Sequence, residues 1–192
     1  MPPKNQVALD FLLTRRSRPA KTLTKPVPNK DELKTILIAA ARTPDHGKLE
    51  PWRFIVLEKI ALRRIAEDVT LCSEALNHSE EQITKAQAQY ANADLAVVVV
   101  SSPVKSEKIP LIEQVYSAGA VCLSMLNAAL AAGWGANWLS GWPTHDRTFV
   151  EKSLGLSPDE SVAGIIHIGT ETNPPPERPR PNLDQITTWM RT

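Results

Sequence analysis

Apolar residues recur along this chain at spacings of three and four positions, which is typical of amphipathic helices. This spacing predicts a helix over residues 5–14 and a second that starts after Asn29. The second helix must stop before Pro44, because a residue preceding proline avoids the helical region. Asn29 and Glu32 have the spacing of a capping box at its start. Further helices are predicted over residues 61–68, 73–90, 110–132, 144–154 (capped by Thr144) and a last short one through Trp189.

Four short apolar runs predict buried strands, over residues 53–58, 94–101, 134–139 and 162–168. Residues 95–100 include no polar side chain, as expected of a central strand covered on both faces. Because strands and helices alternate, we predict a layered α/β or α+β domain with helices on both faces of a small sheet. No linker-like boundary is visible, so one domain over residues 1–192 is expected.

Composition narrows the range of functions. The 22 basic and 21 acidic residues leave a net charge of +1, which argues against a nucleic-acid binder that works through broad electrostatics. The N-terminus lacks the apolar region of a signal peptide, and residues 115–134 read as a buried core helix rather than a membrane span. We therefore expect a soluble, cytoplasmic protein. Cys72 and Cys122 lack CxxC spacing and are expected to be buried free thiols.

Two arginine-rich segments are candidate anion sites. Arg15, Arg16 and Ser17 follow the first predicted helix directly, and guanidinium forks with a hydroxyl suit phosphate oxygens. Arg178 and Arg180 alternate in a proline-rich segment, where an extended chain places both on one face. The alternative in each case is a solvated cluster, with the first one complementing a helix dipole.

A short connection over residues 43–54 joins a predicted helix to a predicted strand, and loops in such positions often carry binding groups. Arg42 precedes it and His46 lies in it, so both could approach the polar edge of an anionic, aromatic cofactor. The alternative for His46 is a hydrogen bond to the backbone. The four histidines show no metal-ligand spacing, and no metal site is expected. His167 is expected to be a satisfied core residue or to lie at a cofactor edge.

The segment Trp138, Leu139, Ser140 and Gly141 leaves a predicted strand into a turn. A glycine there lets the backbone approach a flat ligand closely, and N–H groups near Ser140 and Gly141 could donate to the ring of such a ligand. The alternative is an aromatic strand end that packs into the core. The chain has no GxSxG, P-loop or GxGxxG motif, so nothing indicates a hydrolase or a nucleotide phosphate loop.

Taken in this order, the segments resemble the nitroreductase family of flavoproteins, and in particular its short subgroup. The resemblance spans nearly the whole chain, and each motif is modest alone. The motifs are Arg15-Arg16-Ser17, the run from Ala39 to His46 with Pro51-Trp52-Arg53-Phe54, the run from Ala131 to Gly141, and Ile166-His167-Ile168-Gly169-Thr170.

The resemblance implies an α+β fold of three α/β/α layers, with a small mixed sheet, that forms an intertwined homodimer. It implies that FMN binds at the dimer interface. Arg15, Arg16 and Ser17 match the residues that hold the phosphate and ribityl region, and Arg178 and Arg180 resemble a basic pair that reaches the phosphate.

The remaining site residues also follow from the resemblance. Arg42 and His46 match positions that touch FMN, which we place across the dimer interface, and Trp138, Leu139 and Ser140 match the segment along the flavin. Two positions depart from the family pattern: Pro19 stands where many members have a lysine, and Lys48 where many have an asparagine. We hypothesise that Lys48 supplies the missing positive charge, which would favour the reduced flavin.

The function that the resemblance implies is an FMN-dependent oxidoreductase. Hydride would pass from NAD(P)H to the flavin N5 and then to a nitroaromatic, quinone or similar acceptor, in a ping-pong sequence. No catalytic side chain is expected, because FMN carries the chemistry. Two alternatives stay open: a flavin-binding protein of the same fold without NAD(P)H turnover, for storage, sensing or flavin modification, and a structural or partner-binding domain with solvated basic clusters.

Overall fold

The structure, a computed structural model, describes residues 3–73 and 78–191. Helices and strands alternate along it. In chain order they are α1 (Gln6–Thr14), β1 (Leu23–Thr24), α2 (Lys30–Ala40), β2 (Trp52–Glu58), α3 (Lys59–Ser73), α4 (Glu80–Ala91), β3 (Leu95–Ser101), α5 (Leu111–Ala131), β4 (Gly135–Leu139), α6 (Arg147–Leu154), β5 (Ser161–Glu171) and α7 (Leu183–Ile186). Short 3-10 turns occupy Ala20–Thr22, His46–Lys48 and Trp142–His145.

The strands form a five-stranded sheet with β3 and β5 at its centre. β3 lies between β2 and β5, and all its residues are buried, which confirms the prediction of a strand covered on both faces. β5 also pairs with β4 and, at its end, with the two-residue β1. The strand β1 was not predicted, because its two residues lie in a proline-interrupted segment that reads as irregular extended chain.

The expectation of a mixed sheet was wrong, since each strand pairing in the described part of the chain is antiparallel. β3 and β4 are joined through the single helix α5 and run in the same direction, as a strand–helix–strand connection favours. They do not pair, because β5 lies between them and is antiparallel to both. β2 and β3 are joined by two helices, so the chain returns in the opposite direction.

Helices cover both faces of the sheet and form the outer two of the three expected layers. Successive side chains of β3 point to opposite faces. Val98 packs in a core cluster with residues of α3, α4 and α6, whereas Val97 and Val99 pack in a second cluster with residues of α2 and α5. In the first cluster, the rings of Tyr90 and Phe149 lie 6.1 Å apart. Both faces of the sheet are therefore covered by packed helices, which leaves the edges of the sheet and the ends of its strands for ligand binding.

Most helix boundaries follow the local sequence pattern. The Asn29 side chain accepts from the backbone N–H of Glu32, and the Glu32 carboxylate accepts from that of Asn29, which confirms the capping box before α2. α3 runs well beyond the predicted residues 61–68, because its apolar face continues through Val69. Cys122 is buried and free as expected, but Cys72 is only half-buried.

Two predicted helices differ at their starts. The helix predicted over residues 73–90 falls partly on residues 74–77, which lie outside the described residues; α4 begins after Ser79, whose hydroxyl caps it. α6 is capped by Asp146 rather than Thr144. The Asp146 carboxylate accepts from the Phe149 N–H at 2.7 Å, whereas the Thr144 hydroxyl donates to the Gly141 carbonyl. The last helix, α7, ends at Ile186 and does not reach residue 189.

α5 is long and apolar enough, by length and composition, to span a membrane. Its inner residues pack on the sheet and on α2, as predicted for a core helix. Its outer side carries apolar residues that are between 40% and 68% exposed, and we call this set the α5 stripe. The stripe consists of Leu111, Ile112, Val115, Tyr116 and Leu123.

Candidate functional site

The segment that leaves α1 forms one wall of a cleft lined by arginines. It crosses β4, where the Arg18 N–H donates to the Ala136 carbonyl at 2.8 Å and the Asn137 amide donates to the Arg18 carbonyl at 2.6 Å. These bonds hold Arg15 and Arg16 against the C-terminal end of α5. The arginine cleft has a volume of about 330 Å³ and is lined by Arg15, Arg16, Arg18, Leu130, Trp134 and Glu171, among others.

Hydrogen-bond donors in the arginine cleft outnumber their acceptors. Arg18 pairs with Glu171 at 3.3 Å, but Arg15 and Arg16 form no ion pair with the described residues. Arg15 Nη2 donates to Ser17 Oγ at 3.2 Å. The Nε atoms of Arg15 and Arg16 are buried and have no hydrogen-bond partner in the described chain. Buried donors without acceptors are unfavourable, and a ligand with several oxygens would satisfy them.

The electrostatics of the arginine cleft point to the same class of ligand. Burial lowers the pKa of Arg15, and the positive charges of Arg180, Arg16 and Arg18 lower it further. Positive charges that are partly buried and repel one another in this way are stabilised by a bound anion. The residues present therefore fit a phosphate group, which offers charge and multiple acceptors together.

The proline-rich segment returns to this cleft. Arg16 Nη2 donates to the Pro176 carbonyl at 2.8 Å, across 160 positions of sequence. Arg180 is near enough to affect the pKa of Arg15, and it pairs with Glu177 at 2.7 Å. The Arg178 backbone N–H donates to the same carboxylate, but its guanidinium makes no hydrogen bond with the described residues. Of the two predicted tail arginines, the structure brings Arg180 to the cluster.

The end of β4 is held by close contact with β5. The indole of Trp138 lies directly over Gly164, so closely that a Cβ at that glycine would overlap the ring. Trp138 is therefore fixed by a position that admits no side chain. Beyond it, Leu139 and Ser140 border a second cleft, and Gly141 follows in extended conformation before the next 3-10 turn.

This second cleft, which we call the lysine cleft, has a volume of about 370 Å³. The arginine cleft borders Arg15, Arg16 and Arg18 of the N-terminal segment, and the lysine cleft borders Ala20 and Lys21 of the same segment. Helix α4 forms the opposite wall of the lysine cleft. The two clefts thus flank one continuous stretch of backbone. Side chains that line it are Lys21, Lys85, Gln89, Leu139, Ser140 and His167.

The floor of the lysine cleft carries polar groups that the protein does not satisfy. His167 is 1% exposed, and neither ring nitrogen has a hydrogen-bond partner in the described chain; the Nε2 of Gln89 is also buried without one. Of the two expectations for His167, a satisfied core residue does not fit these unpartnered nitrogens, and a residue at a cofactor edge stays a prediction. Its neighbours across the sheet are Ala96 and Asn137, and the Asn137 amide is already bonded to Arg18. Burial lowers the pKa of His167 to about 4, so the ring is neutral at pH 7.

The loop that carries His46 and Lys48 has an unusual backbone. Gly47, Lys48 and Glu50 all have positive φ, and a non-glycine residue rarely adopts this conformation. The Asp45 carboxylate accepts from the Glu50 N–H at 3.0 Å and closes the loop. Such a conformation persists only where surrounding contacts impose it, and this is common at binding sites.

Polar residues along one side of α5 contact this loop. Glu113 Oε2 lies 2.7 Å from His46 Nδ1, within hydrogen-bond distance. Ser117, one turn later, donates to the Pro44 carbonyl at 3.0 Å and accepts from the Trp52 indole at 3.2 Å. The alternative interpretation of His46 was a hydrogen bond to the backbone. The structure shows a contact with the Glu113 side chain instead.

A single chain does not bring all the predicted site residues together. Arg42, His46 and Lys48 are exposed and line neither the arginine cleft nor the lysine cleft. His46 is tied near the N-terminal end of α5, and the arginine cleft lies at its C-terminal end. At a rise of about 1.5 Å per residue, these ends are roughly 25 Å apart. Within one chain, the two parts of the predicted FMN site therefore do not meet.

A larger cleft, with a volume of about 780 Å³, lies elsewhere, between α2, β2 and the start of β3. It contains none of the predicted site residues. Its Lys59 and Asp94 pair with each other at 3.3 Å, and Lys59 also donates to two backbone carbonyls. None of its lining residues has a buried side-chain polar atom without a partner in the described chain, whereas both smaller clefts contain such atoms, so we take the two smaller clefts as the candidate functional site.

Several residues of the site were not found from the sequence. Glu113 is 67 positions from His46, so nothing in the local pattern connects them. Lys85 and Gln89 are four positions apart and share one face of α4, which was a usable signal. That face points to the N-terminal segment only through the tertiary fold.

Comparisons with known proteins agree on one family. The Nitroreductase family model matches residues 12–170. The chain is 33% identical over 163 residues to a protein of Escherichia coli strain K12 provisionally named NAD(P)H nitroreductase YdjA, covering 85% of this chain and 87% of that protein. It is 34% identical over 165 residues to a protein of Haemophilus influenzae with a similar provisional name, covering 85% and 88%.

Solved structures share the fold at lower identity. A nitroreductase-like family protein from Bacillus cereus superposes with a TM-score of 0.78 at 21% identity, covering 99% of this chain and 98% of that one. A provisionally named nitroreductase from Desulfovibrio desulfuricans, solved in complex with FMN, gives a TM-score of 0.73 at 21% identity and covers 99% of both chains. These similarities confirm the α+β fold expected from the sequence.

Proposed function

This chain belongs to the nitroreductase family, and from that premise we propose that it is an FMN-dependent oxidoreductase that takes its electrons from NAD(P)H. The observation that carries the proposal is the arginine cleft. Arg15 and Arg16 hold buried donors without partners, and Arg180 adds a further positive charge. A phosphate-bearing cofactor is the ligand that this chemistry suits.

The residues of the chain divide the work of holding FMN. Arg15, Arg16, Ser17 and Arg180 bind the phosphate and ribityl end. Trp138 and Leu139 at the end of β4, and Ser140 and Gly141 directly after it, lie along the ring. FMN, when bound, supplies the redox chemistry, and the protein supplies orientation, electrostatics and access. We include Arg178 as a second phosphate contact that would require its side chain to turn towards the cleft.

We further propose that the active unit is a homodimer with a two-fold axis across α5. The α5 stripe is an exposed apolar surface, and burial against a second copy would remove it from water. Antiparallel pairing of two α5 helices places the N-terminal end of each beside the C-terminal end of the other. Arg42, His46 and Lys48 of one chain would then lie at the arginine cleft of its partner.

The proposed reaction uses one site in turn for donor and acceptor. NAD(P)H binds, reduces the cofactor and leaves, and a nitroaromatic, quinone or related acceptor then binds at the same face. Two relatives carry NAD(P)H nitroreductase in their provisional names, which supports this choice of donor and acceptor. We also propose a cytoplasmic location, as expected from the sequence.

The test is an anaerobic titration of the purified protein with NADH and with NADPH. We expect a yellow protein with one FMN per chain, whose flavin absorbance disappears on adding at least one nicotinamide and returns on adding a quinone or nitroaromatic. A flavin that binds but is not reduced by either nicotinamide would indicate a flavin-binding protein without turnover. A colourless protein that does not take up FMN would overturn the proposal.

A pair of arginine variants tests the phosphate site separately. In the Arg15→Ala/Arg16→Ala protein we expect the FMN dissociation constant to rise at least tenfold, because charge-assisted hydrogen bonds contribute about 1.5–3 kcal/mol each. Arg63→Ala removes an exposed arginine of α3 and serves as the control. Equal FMN affinity in the double variant and in the control would place the phosphate elsewhere.

A further inference from the structure

With the flavin ring placed along Leu139 and Ser140, which line the lysine cleft, we propose that Lys21 and Lys85 supply the positive charge that favours its reduced form. This inference rests on the proposed function and assigns a role that had been predicted for Lys48. It identifies Gln89 and His167 as the polar floor on which the ring is held.

The position of the lysine cleft supports this assignment. Ser17 and Lys21 are four positions apart in the same segment. A ligand with its phosphate at the arginine cleft can therefore extend along this segment to the lysine cleft. Leu139 and Ser140, the residues expected along the flavin, line the lysine cleft and not the arginine cleft. The two adjoining clefts share the N-terminal segment as one wall, and together they span the length of the cofactor.

The floor of the cleft is built to hydrogen-bond a ligand. His167 is almost completely buried and both its nitrogens lack partners in the described chain, and the buried Gln89 Nε2 lacks one as well. A buried donor or acceptor without a hydrogen-bond partner is unfavourable, and such groups in a cleft indicate that a ligand supplies the partner. A flavin ring, with donors and acceptors along one polar edge, offers both kinds.

Position distinguishes Lys21 and Lys85 from Lys48, the earlier candidate. Both lysines line the cleft, and neither forms an ion pair with the described residues. His167, on the floor of the cleft, is neutral at pH 7 and does not repel them. Lys48 lies on a loop tied to the other end of α5, and it lines neither cleft of its own chain. Positive charge near a reduced flavin stabilises it, because reduction adds negative charge.

The test measures the flavin midpoint potential in the FMN-loaded protein by dye-equilibrated reductive titration. In Lys21→Met/Lys85→Met we expect the preference for reduced over oxidised FMN to fall roughly tenfold, which is a drop of about 30 mV for a two-electron couple. The difference from wild type should shrink at high salt, since exposed charges are screened. Lys34→Met is the control, an exposed lysine of α2 that lines the cleft of about 780 Å³ instead.

A second variant examines the floor. Gln89→Leu removes the amide, and we expect weaker binding of oxidised FMN, measured by flavin fluorescence, with less change in potential than the lysine variants show. An unchanged potential in Lys21→Met/Lys85→Met, or an equal drop in Lys34→Met, would overturn this inference while leaving the proposed function intact. A drop found in Lys48→Met instead would return the role to Lys48. A wild-type protein that binds no FMN would overturn both.

Discussion

Glu160 is the clearest case of one residue that fixes distant parts of the chain. Its carboxylate accepts from Arg53 Nε at 2.6 Å and Nη2 at 2.7 Å, and from the Ser157 N–H at 2.9 Å. These bonds join the start of β2 to the turn before β5. The paired guanidinium lowers the pKa of Glu160 to about 2, although burial acts in the opposite direction.

This pair predicts how stability depends on acid. The contribution of Glu160 is fully present above its ordinary pKa near 4.5 and is lost as the pH falls towards 2. In Glu160→Gln we expect a loss of roughly 2 kcal/mol in the free energy of unfolding at pH 7, measured by urea denaturation. The gap from wild type should narrow between pH 4.5 and 2. Glu151→Gln, in an exposed pair with Arg147, should cost under about 1 kcal/mol; an equal loss in both variants would contradict the prediction.

His167 predicts a second pH dependence in a different range. Because burial holds the folded pKa near 4, the unfolded chain takes up a proton below about pH 6.5 and the folded chain does not. The free energy of unfolding should therefore fall as the pH drops from 6.5 to 4. In His167→Leu we expect this fall to be smaller by up to about 3 kcal/mol, measured by denaturation across that range. His145→Leu, at an exposed position, should keep the wild-type slope; a His167→Leu protein that also keeps it would refute the assignment.

At the scale of an element, β4 carries Trp138 and Leu139, which we propose lie along the flavin ring, and it is positioned by β5. Gly164 leaves room for the Trp138 indole, and β4 pairs with β5 from Gly135 to Leu139. The position of Leu139 and Ser140 beside the lysine cleft therefore depends on a glycine that is itself outside the cleft. A glycine is needed there for space, and not for a positive φ.

Gly164→Ala tests this dependence. The added Cβ would overlap the Trp138 ring, so we expect a loss of roughly 1–3 kcal/mol in stability and weaker FMN binding. In a Trp138→Leu background the same substitution should cost less, because the overlapping ring is absent. Equal costs in the two backgrounds, measured by urea denaturation, would show that the indole is not what excludes a side chain at Gly164.

At the scale of the whole molecule, α5 separates the two parts of the predicted FMN site. One end of the helix holds the loop of His46 through Glu113, and the other end borders the arginine cleft. The α5 stripe lies between these ends and is apolar where a solvent-facing helix would be polar. Assembly and cofactor binding are therefore expected to depend on the same surface.

Charged substitutions on the α5 stripe test that link. In Tyr116→Lys/Leu123→Glu we expect a monomer by analytical ultracentrifugation and a large loss of bound FMN, because each site would lack the partner's residues. Ile60→Lys, at an apolar residue of α3 that is 85% exposed, is the control and should stay dimeric and yellow. A monomeric variant that binds FMN as tightly as wild type would show that one chain forms a complete site.

The sequence by itself determined the type and approximate position of most helices and strands. Helical and strand periods, and caps such as Asn29 with Glu32, depend on residues only a few positions apart. It also placed Arg15 and Arg16 at the end of a helix, where the structure shows donors that lack partners in the described chain. These features are local, so local patterns were sufficient to predict them.

Only the tertiary structure decided which elements meet. It placed β5 between β3 and β4, which made the sheet antiparallel, and it set Gln89 and His167 beside the N-terminal segment. It tied His46 to Glu113, at the far end of α5 from the arginine cleft. Each of these contacts joins residues far apart in sequence, and their approach depends on the packing of the whole core, which no local period encodes.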